Sequence, residues 1–290
     1  MAIATNTSLT YSSVAIREQL SDVIYNIAPM DTPFMSGCSK QTVDNTFFEW
    51  QTDSITAGAT NRKIEGDDSI AATARVLPTR LGNYAQISQY VNQTSGTDDA
   101  VNYAGHGKHQ AYQLAKNGKR MKRDMEGMLL ENIVRAAGNS TTARATAGVP
   151  AWLATNYVSM NPTSGSPAAG ATGTTAMTEA TATASITEAG IKNVIKDCYD
   201  AGGNPDLILA PSAIKQAISD LAQSVSSLRT NTKGDSPAHV VAAVDVYVSD
   251  FGTFRIVSDR NVKSTEHVFF LDMDFWAIGW LRPFQTVELA

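Results

Sequence analysis

Apolar and small residues recur every three or four positions along residues 98–137, and this period predicts one long helix. Thr97 is suited to cap its start, and Gly138 is suited to end it in a left-handed conformation. Such a helix would extend about 60 Å, whereas a compact chain of 290 residues is about 50 Å across. We therefore expect an elongated subunit that covers its edges by assembly. The predicted apolar face consists of Ala111, Leu114, Gly118, Met121, Met125, Met128 and Asn132.

Glycines weaken the helix prediction. Gly105, Gly107, Gly118 and Gly127 each disfavour a helix by about 1 kcal/mol relative to alanine. We therefore expect the segment to depend on packing for its order. A break in the helix would fall near Gly107.

Strict alternation predicts a strand over residues 46–55, where Phe48 and Trp50 alternate with Glu49 and Gln51. A second extended segment follows at residues 81–93, with Ala85, Ile87 and Val91 on one face. Residues 57–79 between them are polar, and a connection this long is uncommon inside a compact domain. The pattern predicts a projecting hairpin, which is either a mobile surface loop or an arm that gains order on another subunit.

The rest of the chain divides into a loose start, a connector and a dense final third. Residues 1–12 are small and polar, and residues 16–27 predict a short amphipathic helix. Residues 138–185 are rich in Ala, Thr, Gly and Ser, which predicts a connector with disorder around 161–175. The final third predicts an α/β layer, in the order helix 186–199, strand 206–210, helix from Pro211, hairpin 244–259 and aromatic strand 268–280.

Composition excludes several classes. Hydrophobic content of 43% supports a core of one large or two modest domains, and a net charge of −5 argues against a polyanion binder. Cys38 and Cys198 are far apart, which fits a reduced cytosolic protein better than a disulfide scaffold. The start has no signal-peptide pattern, and no apolar run approaches the roughly 20 residues that cross a bilayer. We expect synthesis and folding in the cytoplasm without a membrane partner.

The sequence offers no catalytic constellation. His106 and His109 have a spacing that can bind metal, but no third ligand is nearby. Asp272 and Asp274 form a DxD pattern, which polar-out alternation on a strand explains. The chain has no GxSxG elbow, no phosphate-binding loop and no dinucleotide fingerprint. We expect no enzyme activity, no metal and no cofactor.

One charge pattern rises above background on the predicted helix. Its basic stripe consists of Lys116, Lys119, Arg120 and Arg123. One interpretation is a solvated face that pairs with Asp124 and Glu126. The other is a positive strip that faces phosphates or an acidic partner, although the lack of interleaved aromatic residues argues against base-specific readout.

Taken together, these segments resemble the major capsid proteins of tailed double-stranded DNA bacteriophages, which have the Hong Kong 97-like fold. The resemblance covers nearly the whole chain in short stretches. IREQLSDVIYNIAPMDTPFMS is similar to an N-terminal arm, FEWQTDSI, IEGDD and TRLGNYAQIS to an extended loop, and QLAKNGKRMKRDME to a spine helix. AWLATN, GGNPDLILAPSAIKQAI and VFFLDMDFWAIGWLRPF resemble the axial domain and the return from it.

The resemblance implies an α+β fold in five parts. These are an N-terminal arm at 1–45, an extended β-hairpin loop at 46–95, a peripheral domain with a long spine helix at 96–150, an α/β axial domain at 151–250, and a return to the peripheral domain at 251–290.

The resemblance also implies a function in the virion. The chain would self-assemble from pentamers and hexamers into an icosahedral head that encloses double-stranded DNA without sequence specificity. Assembly would take place in the host cytoplasm, with scaffolding, portal and decoration proteins as further partners. The alternatives are a shell subunit of a non-viral, encapsulin-like compartment and a DNA-binding module.

Large apolar groups on projecting arms need cover, which predicts Phe34, Met35, Phe48 and Trp50 as intersubunit anchors. Arg62 and Lys63 in the loop are further candidates for intersubunit contacts. Some related capsids crosslink through Lys and Asn, so Lys63 and Asn61 are noted as a pair of the required types. We expect the basic stripe to face the lumen, the DNA or a scaffold.

Overall fold

The structure is a computed structural model that describes residues 31–55, 62–66, 75–160, 172–178, 185–225, 245–262 and 267–287, together with residues 58, 60 and 170. The chain divides into two compact units. The smaller unit includes Gln89–Met121, and the larger unit comprises Asp31–Ser88 and Lys122–Ala290. The predicted tail, the predicted helix at 16–27 and most of the predicted disorder around 161–175 lie outside the described residues.

The described residues form helices and short strands in a mixed order. The helices are α1 (Pro33–Gly37), α2 (Gly96–Ala100), α3 (His109–Leu129), α4 (Glu188–Asp200) and α5 (Ser212–Val225), and 3-10 turns lie at Val149–Trp152 and Met273–Phe275. The strands are β1 (Ser39–Thr42), β2 (Phe47–Thr52), β3 (Thr79–Tyr84), β4 (Leu207–Ala210), β5 (Val246–Ser249), β6 (Gly252–Ser258), β7 (Phe269–Leu271) and β8 (Ala277–Trp280).

A four-stranded mixed sheet in the order β5-β6-β4-β7 organises the larger unit. Strand β4 is parallel to β6 and antiparallel to β7, and β5 is antiparallel to β6. Successive side chains of a strand point to opposite faces, so neighbouring residues of β4 enter different cores. Ile208 packs with Ile191 and Ile195 of α4, whereas Leu209 packs with Phe34 and other residues of the second core. The predicted α/β layer is confirmed.

Helix α4 shows how the local sequence sets an element boundary. The Thr187 side chain accepts a hydrogen bond from the backbone N–H of Gly190, which caps the start of the helix. Gly202 has a φ of 89°, a left-handed conformation that ends the helical run just after Asp200. The observed Glu188–Asp200 agrees with the predicted helix at 186–199.

The prediction of one helix over 98–137 is wrong. Helix α2 is separate, with Ser95 as its cap in place of Thr97, and α3 begins only at His109. The break between the two helices spans residues 101–108 and includes the predicted position Gly107. Gly105 within it has a φ of 83°, which an α-helix cannot accommodate. The 21 residues of α3 extend about 32 Å, so helix length no longer supports an elongated subunit. Gly138 lies in a turn beyond Leu129 and does not end the helix.

The aromatic segment at 268–280 is also not one strand. Strands β7 and β8 are separated by the 3-10 turn Met273–Phe275. Asp272 caps this turn, because its carboxylate accepts hydrogen bonds from the backbone N–H groups of Asp274 and Asn204 at 3.3 Å each. Polar-out alternation is therefore the wrong explanation of the DxD pattern. Strand β7 belongs to the four-stranded sheet, whereas β8 pairs in parallel with β1 in a separate two-stranded sheet.

Candidate assembly surfaces

Hairpin β2–β3 carries the first group of predicted contact residues. The two strands pair antiparallel from Phe47 opposite Tyr84 to Thr52 opposite Thr79, which confirms an antiparallel pair here. The second strand is Thr79–Tyr84, so the prediction of an extended segment over 81–93 is wrong beyond Tyr84. Phe48 and Trp50 lie on one face, with ring centroids 6.0 Å apart. The Trp50 ring also lies 5.2 Å from that of Trp152. These contacts attach the first residues of the hairpin to their own unit.

Close approaches at two glycines allow this attachment. A Cβ at Gly82 would lie 2.6 Å from the Phe47 ring, and a Cβ at Gly173 would lie 2.7 Å from the indole of Trp152. Arg135 adds a further contact, since its guanidinium donates to the Gly82 carbonyl and lies 5.4 Å over the Phe47 ring. Any larger side chain at either glycine would displace an aromatic ring that holds the hairpin.

The described part of the connection between strands β2 and β3 is exposed, and so is part of the Trp50 ring in β2. Trp50 is 38% exposed, Ile55 is 99% exposed, and Ile64 and Leu77 are also largely exposed. The predicted contact residues Arg62 and Lys63 are exposed as well, whereas Asn61 lies outside the described residues. Exposed apolar residues in one region often mark a surface that another protein covers.

Phe34 and Met35 have a different setting from the hairpin residues. Phe34 is 2% exposed and lies in the core of the larger unit, where its ring meets Trp276 edge-on at 5.8 Å. Met35 is also buried. The chain's own packing therefore leaves little of either side chain for a neighbouring subunit.

Glu126 holds α1 in this core. Its two carboxylate oxygens accept hydrogen bonds from the backbone N–H groups of Phe34 at 2.7 Å and Met35 at 2.8 Å. The interpretation that placed Glu126 on a solvated face is wrong, because it is fully buried. The structure explains why α1 needs this partner: it has no acidic residue in its first turn and no side-chain cap from Thr32, so its N–H groups require a distant acceptor.

The basic stripe lies on α3. Lys116 and Lys119 are exposed and make no ion pair within the described part of the chain. The Arg120 guanidinium lies 4.6 Å over the Tyr90 ring, and Arg123 approaches the Asp124 carboxylate at 3.4 Å. The predicted apolar face of the helix is only half-buried at Met121, Met125 and Met128 and is exposed at Leu114.

The predicted histidine pair lies in an aromatic cluster of the smaller unit. His106 Nε2 and His109 Nδ1 are 3.1 Å apart, and both rings stack on Tyr103 with centroids at 4.9 Å. Across the described ranges, no three His, Cys, Asp or Glu side chains converge as a metal site would require. Both cysteines are free. No helix in the described part is long and apolar enough to cross a bilayer.

Comparisons with known proteins agree with one another. A sequence model of the family described as SU10 major capsid protein matches residues 3–290. The major capsid protein of Escherichia phage Phieco32 is 27% identical over 299 aligned positions, covering 91% of this chain and 83% of the relative. The solved Cyanophage A-1(L) capsid asymmetric unit is similar with a TM-score of 0.61 at 15% identity, over 92% of this chain and 77% of that chain. This structural similarity indicates a shared fold.

Proposed function

This chain belongs to the SU10 major capsid protein family and is a structural protein of a phage head shell, and we propose that its copies join through the exposed end of hairpin β2–β3. The family match over nearly the whole chain is the observation that carries the shell function. The exposed apolar residues of the hairpin support the choice of contact surface.

The hairpin surface consists of Trp50, Ile55, Ile64 and Leu77, with Arg62 and Lys63 beside it. Burial of apolar area contributes roughly 25 cal/mol per Å², so a few such side chains give each contact a modest favourable free energy. A closed shell repeats the same contact between many pairs of subunits. Multivalency then converts individually weak contacts into a stable particle.

We further propose that the chain has the Hong Kong 97-like organisation. Hairpin β2–β3 corresponds to the extended loop at 46–95, α3 to the spine helix of the peripheral domain at 96–150, and the sheet with α4 and α5 to the axial domain at 151–250. The arm at 1–45 and the return at 251–290 complete it. The fold similarity to the cyanophage capsid structure supports this assignment.

The basic stripe supplies a second surface. Lys116 and Lys119 are exposed cations. Because the whole chain has a net charge of −5, the stripe is a positive region on an otherwise negative protein. This surface faces the lumen, where it contacts packaged DNA phosphates without reading sequence or contacts an acidic scaffold. Pentamers and hexamers, with portal and decoration proteins, complete the particle, which assembles in the host cytoplasm. An encapsulin-like compartment is not favoured, since the family and the curated relative are phage capsid proteins.

Electron microscopy and sedimentation of the purified full-length chain test the proposal. We expect closed shells from the native sequence, with or without a co-expressed scaffold. Replacing Ile55, Ile64 and Leu77 together by Ser should leave the subunit folded and abolish shells. The control replaces Val246 and Val248 by Ser, because these apolar residues are also exposed and lie on strand β5 outside hairpin β2–β3. Shells that form equally well from the hairpin variant would refute the contact surface, and a chain that stays monomeric under all conditions would refute the assembly function.

A further inference from the structure

Two carboxyl groups meet inside the larger unit, and among the described residues no cation pairs with them. Glu126 of α3 is 0% exposed, and Asp259, which follows β6, is 2% exposed. The two side chains are close enough to hydrogen-bond if one of them carries a proton. Removing two negative charges from water together is costly, so this arrangement requires a compensating interaction.

Three of the four carboxyl oxygens have donors. Both oxygens of Glu126 are occupied by the N–H groups of Phe34 and Met35. Asp259 Oδ1 accepts from the backbone N–H of Asn261 at 2.8 Å and from its side-chain amide at 3.0 Å. Asp259 Oδ2 is buried, and no N–H or O–H in the described part of the chain donates to it. A proton held against the neighbouring carboxyl is what would satisfy this oxygen.

The surrounding charges make a shared proton more favourable. Within the described ranges, no Lys or Arg forms an ion pair with either carboxylate. Asp31 adds a further negative charge near Asp259, and its backbone carbonyl accepts from the Asn261 amide. The Cys38 thiol lies near Glu126, and burial raises its pKa to about 12, so it stays neutral. Burial and the neighbouring carboxylates therefore oppose full ionisation of the pair, whereas the donors of Phe34, Met35 and Asn261 favour the ionised forms.

We propose that Glu126 and Asp259 form a proton-binding site that joins α1, α3 and the end of β6, and that loss of this proton weakens the attachment of α1. The site adds a pH-sensitive contact to the core of the larger unit. Glu126 is the positioning residue, since it holds the N–H groups of α1, and Asp259 presents the oxygen that needs the proton.

Burial, with a smaller contribution from Asp259, raises the pKa of Glu126 from its ordinary value of 4.5 to about 7. Burial also raises the pKa of Asp259. Between pH 4.5 and 7 the folded state therefore binds more protons than the unfolded state. The stabilisation is fully present below the unfolded value and is lost as the pH rises through the folded value. The unfolding equilibrium constant should rise by up to about tenfold per pH unit in this window.

The variant Asp259→Asn imitates the protonated pair. Its carbonyl oxygen can keep both hydrogen bonds from Asn261, and its amide can donate to Glu126 in place of the proton. The matched control is Asp220→Asn, which removes an exposed carboxylate from α5. Denaturant unfolding of the three full-length proteins from about pH 5 to about pH 9 gives the stability profiles.

We expect the native chain and Asp220→Asn to lose stability together as pH rises, and Asp259→Asn to be more stable than both near pH 9. Hydrogen exchange at Phe34 and Met35 should be slower in Asp259→Asn than in the native chain at that pH. Parallel profiles for all three proteins would overturn the proposal. If Asp259→Asn does not fold, infrared titration of the native chain decides: a buried carboxylic acid band that persists to about pH 7 supports the site, and its loss near the ordinary carboxyl range overturns it.

Discussion

The indole rings of Trp50 and Trp152 lie 5.2 Å apart, which ties strand β2 to the 3-10 turn Val149–Trp152. Trp50 is nevertheless 38% exposed. Its ring therefore contacts its own unit with one part and offers the remainder to a neighbour. Among the predicted anchors, Trp50 both packs against its own unit and remains exposed to solvent.

Trp50→Ala should separate these two contributions. We expect a loss of about 1–3 kcal/mol in the unfolding free energy of the unassembled chain, because the aromatic pair and part of the ring's burial disappear. Shell yield should fall further than this loss explains. Denaturant unfolding gives the first quantity, and sedimentation of the assembled material gives the second. Trp50→Phe keeps an aromatic ring and should recover most of both. Normal shell yield from Trp50→Ala would remove this residue from the contact surface.

Phe34→Ala should act on the fold itself. Phe34 is fully packed in the core and against Trp276, so the substitution leaves a cavity that costs about 3–5 kcal/mol. Denaturant unfolding of the unassembled chain measures this loss, and Phe34→Leu should cost less. The alternative prediction from the sequence, that Phe34 is an intersubunit anchor, requires the opposite result: unchanged unfolding together with lost assembly.

Substitution by alanine should change the unfolding free energy in opposite directions at two glycines, Gly118 and Gly148. Nothing lies within 4 Å of a Cβ built at Gly118 in α3, so Gly118→Ala should stabilise the chain by about 1 kcal/mol through helix propensity. A Cβ at Gly148 would lie 1.9 Å from the Glu131 carbonyl oxygen, so Gly148→Ala forces the backbone to move. We expect it to destabilise by more than about 2 kcal/mol. Thermal unfolding measures both, and equal effects would contradict these local geometries.

Local periodicity predicted the elements whose cause is local. Alternation at Phe48 and Trp50 identified β2, whose aromatic rings share one face, and the apolar spacing around Ile191 identified α4, whose periodic apolar face is buried. The start of α3 at His109 was missed because the left-handed Gly105 interrupts a helical period that continues through it in the sequence.

Contacts between distant parts of the chain could not be predicted. Glu126 bonds to Phe34 across 92 positions, and nothing in the spacing around Glu126 distinguishes it from a solvated helix residue. The parallel pairing of Ser39 with Ala277 is equally remote in sequence. Such contacts depend on how the whole chain packs, so burial of Phe34 and of its carboxylate partner became visible only in the structure.

Reversing two charges on the basic stripe should affect cargo more than folding. In the double variant Lys116→Glu and Lys119→Glu, we expect normal unfolding, because both lysines are exposed and without ion pairs in the described part of the chain. Packaged DNA, or retention of an acidic scaffold, should fall. The control reverses Lys40 and Arg282, which are exposed outside the stripe and likewise make no ion pair in the described part of the chain. The measurement is nucleic-acid content per particle. Intact assembly and packaging in the stripe variant would remove the lumenal hypothesis.

The two cysteines should report on different parts of the larger unit. Burial raises the pKa of Cys38 to about 12 from 9.0, which lowers its thiolate fraction near pH 8 about a thousandfold. Cys198 is half-buried, and burial raises its pKa as well, but its side chain is more accessible. We therefore expect a thiol reagent to modify Cys198 first in the native chain and Cys38 only when the core around α1 opens, with mass spectrometry of peptides as the readout. In Cys198→Ser, labelling should then follow global or local unfolding at α1. Equal labelling of Cys38 in native and denaturing buffers would contradict its buried position at the end of α1.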